Sequence, residues 1–169
     1  MAQDILHESE SLFNMPENDL NLIAHLMRRA GFGATRDELE IYTSNGYVAV
    51  VESLLHPERS PELEEDLVER YYDGGISTDS HVMAQAQWIY RMVNTQRPLE
   101  EKMALFLHHL FATGLSKMEH TPQMVAQITM FRRMGLSNLR AILTELSKDP
   151  AMIHWLDNSE NHKDEPNEN

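Results

Sequence analysis

PLEEKMALFLHHLFATG (98–114), TPQMVAQITMFRRMG (121–135) and SNLRAILTELSKDPAMIHWLDNSENHKDEPNEN (137–169) are the stretches whose reading decides the fold. Pro98 at a first-turn position, followed by Glu100 and Glu101, opens a helix with acid at the positive end of its dipole. Met103, Phe106, Leu107, Leu110 and Phe111 form its apolar stripe, and Gly114 stops it. Thr121-Pro122 serves as cap and first residue of a second helix, which closes at Gly135. Ser137 caps a third, carrying Leu139, Ile142, Leu143 and Leu146. Asp149-Pro150 breaks that helix and starts a last turn, Ala151 to Leu156.

Upstream, Ser80 caps a helix in which Val82, Met83, Ala86, Ile89, Tyr90 and Val93 trace a 3.6-residue period. Trp88 and Met92 broaden that face, which predicts a central, buried helix. Residues 57–80 are dense in acid; Leu63, Leu67 and Tyr71 sit four apart, and Asp73–Ser80 reads as a loop within a solvated connector. Before it, Leu20, Ile23, Ala24 and Met27 give one apolar helical face, with Asn18 or Asp19 as cap and Gly31 and Gly33 as the stop. Thr35 and Glu38 match a capping box for a helix ending at Asn45-Gly46. Tyr47 to Leu55, apolar at Val48, Val51, Leu54 and Leu55, is a further helix closed before Pro57.

No segment alternates with period two, so no sheet is predicted. The expected fold is all-α, an irregular multi-helix bundle of about eight helices, incomplete at the C-terminus. Residues 1–17 read as a flexible arm, 18–156 as the helical domain, and 157–169 as a polar Asn/Asp/Glu tail.

A chain of 169 residues can bury a core, and its 41% apolar content contains no run long enough to span a membrane. The absence of Cys excludes disulfides, thiolate metal sites and a Cys nucleophile. Twenty-seven acidic against 14 basic residues leave a net charge of −13, which disfavours nucleic acid. Arg28-Arg29 and Arg132-Arg133 read as solvated helix charges rather than a basic patch. The acidic, polar N-terminus lacks a signal-peptide pattern, so a cytoplasmic location is expected.

HLMRRAGFGAT (25–35), EKMALFLHHLFATG (101–114) and DPAMIHWLDNSENHKDEPNEN (149–169) together resemble the bacterial domain of unknown function 1800 family. Trp155-Leu156-Asp157-Asn158, then Asn161, then Pro166-Asn167-Glu168-Asn169 is the most specific part of the likeness. Members usually carry Trp before the His of the middle block, where this chain has Leu107, and continue beyond the last block. The resemblance therefore implies the N-terminal part of such a protein: a fragment without catalysis of its own, able to associate through the face left bare by the missing portion.

Two other readings stand beside it. One is a metal-binding or hydrolytic enzyme domain that draws Glu101, His108, Asp157, Asn158 and Asn161 into one pocket, with His108, His154 and Asp157 as candidate metal ligands. Glu101 and His108 lie two turns apart on one helix, so a relation between them requires a bridging group. No metal-site spacing of the H-E-x-x-H kind occurs, and the residues single out no cofactor. The other reading is an acidic helical interaction module.

Overall fold

The computed structural model describes residues 17–63, 80–111, 113–118 and 120–166. Nearly all of the expected arm, Leu67 and Tyr71, most of the Asp73–Ser80 loop, and Asn167, Glu168 and Asn169 lie outside these residues. The all-α expectation holds, with eight α-helices in an irregular arrangement and no strand among the described residues. The chain divides into two compact units, Met1–Arg59 and Ser60–Asn169.

In the first unit, α1 (Glu17–Ala30) packs against α2 (Arg36–Asn45) and α3 (Tyr47–Leu55), and a short 3-10 turn, Pro57–Arg59, follows. Asn18 and Asp19, expected as caps, lie inside α1. Gly33 takes φ +105° and donates its N–H to Met27 O at 3.2 Å, turning the chain after α1 as its sequence requires. Both halves of the Thr35–Glu38 capping box form. The core is Ile23, Met27, Val50 and Leu54. Of the apolar positions that marked α3 in the sequence, Val48 and Leu55 are exposed.

The second unit contains α4 (His81–Asn94), α5 (Pro98–Leu110), α6 (Thr121–Met134), α7 (Leu139–Leu146) and α8 (Pro150–Trp155), then a 3-10 turn, Asn158–Glu160. Helix α6 is the hub, touching α4, α5, α7 and α8. Ala104 and Leu107 of α5, Phe131 of α6, and Ile142 and Leu146 of α7 form the main core. Met118, Met124 and Ala151 make a smaller cluster beside Trp155.

Start signals read from sequence mostly locate the helix ends. Ser80 Oγ accepts from Met83 N at 3.5 Å, Pro98 occupies the first turn of α5, and Asp149 caps α8. One cap shifts: Asn138 Oδ1 accepts from Ala141 N at 2.9 Å, while Ser137 turns back to Met134 O, because an amide oxygen directly before the first helical residue reaches the open donor. Thr121 falls inside α6, behind His120.

Two buried faces differ from the apolar stripes. On α4, Val82, Ile89 and Val93 are 54%, 61% and 75% exposed, so these positions of the expected stripe face outward, while Met83, Trp88, Tyr90 and Met92 are half-buried. On α5 the buried line is Glu101, Ala104 and Leu107, and Phe106 and Leu110 are exposed. A polar contact sets both rotations: Trp88 and Arg91 of α4 reach the carboxylate of Glu101.

Close approach also matters where Gly135 follows α6. A Cβ at Gly135 would sit 2.8 Å from Met103 Cβ of α5 and 2.8 Å from Phe131 O. Its φ of −59° and ψ of −24° suit any residue, so relief of backbone entropy alone would favour alanine by about 0.4–1 kcal/mol. Overfilling the contact costs about 1–3 kcal/mol and wins. Gly135→Ala is expected to lower the urea midpoint; an unchanged or higher midpoint would show that α5 and α6 separate freely there.

Candidate functional site

Glu101 is 1% exposed, and three side chains converge on it. Trp88 Nε1 donates to its Oε2 at 3.0 Å, Arg91 Nε donates to Oε1 at 3.0 Å, and Arg132 Nε donates to Oε1 from α6. A buried carboxylate is tolerable on such terms, since charged donors replace the water it loses. The Arg132 side chain is 11% exposed, which corrects its reading as a solvated helix charge. Its Nη1 reaches Thr129 Oγ1 at 3.4 Å, and among the described residues no acceptor holds Nη2.

Beside this cluster is a cavity of about 540 Å³ within the second unit. Trp88, Met124, Val125 and Ile128 give it apolar wall; Arg91, Arg132 and His108 give it basic groups. No acidic residue lines it among the described residues. A protein of net charge −13 thus keeps a locally basic hollow, with Glu101 set behind the arginines.

His108 lies two turns beyond Glu101 on α5, and the indole of Trp88 stands between them. While its Nε1 binds Glu101, the Trp88 ring meets the imidazole edge-on, centroids 5.5 Å apart at 76°. His108 Nδ1 is buried without a hydrogen-bond partner. Desolvation holds the imidazole below the usual histidine range, so it is neutral at physiological pH. The folded chain binds that proton more weakly than the unfolded chain, so this group makes stability rise with pH through the histidine range.

Behind the cavity runs a buried polar chain. Thr113 Oγ1, on the cavity wall, donates to Gln127 Oε1 at 2.6 Å. Gln127 Nε2 donates to Asp149 Oδ1 at 2.7 Å, and that oxygen also accepts Met152 N at 2.9 Å as the cap of α8. Every polar side-chain atom of Gln127 is turned inward; its exposure is 0%.

The other sequence candidates lie elsewhere. Asp157, with φ +54°, follows α8, and its Oδ2 is 2.6 Å from Lys117 Nζ. Lys117 Nζ also donates to Trp155 O at 2.8 Å, and His154 Nε2 donates to Lys117 O at 3.3 Å. Asn161 Nδ2 donates to Asn158 Oδ1 at 3.1 Å. Asp157, Asn158, Asn161 and His154 are not among the residues lining the cavity, whereas His108 is. No group of three or more His, Asp or Glu side chains among the described residues converges as a metal centre would need. No helix among these residues is long and apolar enough to cross a membrane.

Arg91, Arg132, Trp88 and Gln127 were not singled out as site residues by sequence. For Arg132 the usable signal was the FRRM run on the hub helix, where a charge adjoins Phe131, which the structure buries fully; the sequence carried no such signal for the other three.

One family profile, described as a protein of unknown function (DUF1800), matches residues 25–169. No curated protein and no solved structure matches the chain. The match corrects the expectation that only the N-terminal part of the family is represented: it covers nearly the whole chain, so the reading as a fragment with a bared face is withdrawn.

Proposed function

The chain belongs to the DUF1800 family of proteins of unknown function, and we propose that its unit Ser60–Asn169 binds a small organic anion in the cavity between α4, α5 and α6. The observation that carries this reading is the arrangement of Arg132. Glu101 holds the guanidinium through Nε, which fixes its direction, while Nη2 is left for an acceptor that none of the described residues supplies. A planar guanidinium anchored in this way suits a carboxylate or phosphate oxygen. The apolar wall accommodates the body of the ligand, as in most small-molecule sites.

Thermal unfolding with a panel of small anions tests it. Benzoate and phenyl phosphate are expected to raise the midpoint in proportion to occupancy, by about 2.7 kcal/mol of stabilisation at a concentration one hundred times Kd. Arg132→Lys keeps the charge but loses the planar fork, and is expected to abolish most of the rise. The same ligands should shift the indole N–H resonance of Trp88 in the unaltered protein. An equal midpoint rise in Arg132→Lys, or anions that leave the Trp88 resonance in place, would refute the site.

A further inference from the structure

Resting on that anion-binding reading, we infer that His108 serves the cavity as a neutral hydrogen-bond donor through Nε2–H, so that the ligand carries an acceptor oxygen of carbonyl type at the end away from its anionic group. The assignment begins with the unpartnered nitrogen. Nδ1 is sealed from solvent and no group donates to it or accepts from it. A proton there would be a buried donor with no acceptor, whereas the bare lone pair leaves less unsatisfied. The proton therefore resides on Nε2. That nitrogen also makes no hydrogen bond among the described residues, yet it belongs to a cavity-lining side chain and is not sealed.

The ligand's length follows from the helix. Glu101 and His108 are seven residues apart, which is about 10 Å along the axis of α5. Arg132 is tied to the Glu101 end. The Trp88 ring reaches from one end to the other, bonded at Glu101 and edge-on to His108. A flat apolar body lying along the indole would thus present its anion to Arg132 and its acceptor to His108. Burial keeps the imidazole uncharged, in agreement with a donor that does not surrender or collect a proton. Among the described residues, the charged and titratable groups that line the cavity with it are His81, Tyr90 and Arg91 of α4 and Arg132 of α6, with Glu101 of α5 behind the arginines.

Two measurements decide this. In the unaltered protein, long-range proton–nitrogen NMR at about pH 8, above the histidine range, is expected to show His108 with Nε2 protonated and Nδ1 bare. The opposite tautomer, or an imidazolium, overturns the inference. Next, para-acetylbenzoate is compared with para-isopropylbenzoate, which matches its shape without the acceptor. The acetyl compound is expected to bind about 2- to 10-fold more tightly, and His108→Phe, which keeps an aromatic ring against Trp88, should erase that preference while benzoate binding persists. Equal affinities, or a preference that survives in His108→Phe, overturn the donor role but leave the anion site standing if Arg132→Lys still loses benzoate. Loss of any Arg132 dependence across all carboxylates removes the anion site, and this inference with it.

Discussion

Glu101→Ala will destabilise the Ser60–Asn169 unit by about 3–5 kcal/mol, the usual result of removing one partner from a buried ion pair. The loss comes less from contacts deleted than from the Arg132 charge left without its carboxylate. Arg91 and Arg132 are 17% and 11% exposed in their side chains and both donate to the same carboxylate oxygen. Without it, Arg132 keeps its charge on a largely buried side chain with its carboxylate gone, Arg91 loses one of its partners, and Trp88 Nε1 loses its acceptor as well. Such a change consumes a large share of the roughly 5–15 kcal/mol that holds a typical domain together. Chemical unfolding checks it, with Glu100→Ala as the neighbouring control. A loss below about 1 kcal/mol, the scale of a surface pair, would mean that water already reaches the cluster. Substituting Glu101 and Arg132 together by apolar residues should recover part of the stability, since the buried guanidinium goes too.

Gln127→Glu is the second large effect, and it carries a pH signature. Gln127 works in both directions, accepting from Thr113 and donating to Asp149, and only an amide can do so at this position. A glutamate would keep the acceptor and replace the donor with a second carboxylate at 2.7 Å from the first. The expected cost at neutral pH is about 3 kcal/mol. The pair relieves itself by taking up a proton, so a carboxyl pKa in the folded variant lies above its unfolded value. The variant therefore keeps most of its stability below the usual carboxylate range and loses it as pH rises through the raised value. Unfolding midpoints across acid to neutral pH will show the variant approaching the parent at the acid end. A gap that does not narrow would indicate that the two carboxyl groups have moved apart.

Helix punctuation was legible in the sequence because caps and breakers act through neighbours in the chain. Thr35 and Glu38, Ser80, Pro98 and Asp149 need only the next turn to explain them. Facing was less legible. The stripe rule weighs apolarity alone, and it turned Val82, Ile89 and Val93 inward, although α4 meets α5 through Trp88 and the charged Arg91, both bonded to Glu101. The same blind spot left Arg132 on the surface. An arginine can be buried only if something far away in sequence neutralises it, and Glu101 lies 31 residues off. Sequence did mark Glu101 and His108 as chemically suggestive, but not the indole that links them, since Trp88 read as core. Asp157, Asn158 and Asn161 stood out by density of polar groups. In the structure, Asp157 and Asn158 belong to a turn, with one residue in the left-handed region where Asp is tolerated.

The placement of Trp88 gives the protein an optical readout of its own. The chain has two tryptophans. Trp155 rests against Gly114 with the Lys117 ammonium 6.0 Å from its ring and is not among the residues lining the basic hollow, whereas Trp88 forms part of the hollow's wall. Emission from Trp88 is thus sensitive both to whatever displaces water from its ring face and to a charge appearing on the imidazole at its edge, because imidazolium quenches indole fluorescence. With Trp155 replaced by phenylalanine, the remaining signal reports on one spot: occupancy by its intensity and colour, and protonation of His108 by its quenching as the solution is acidified.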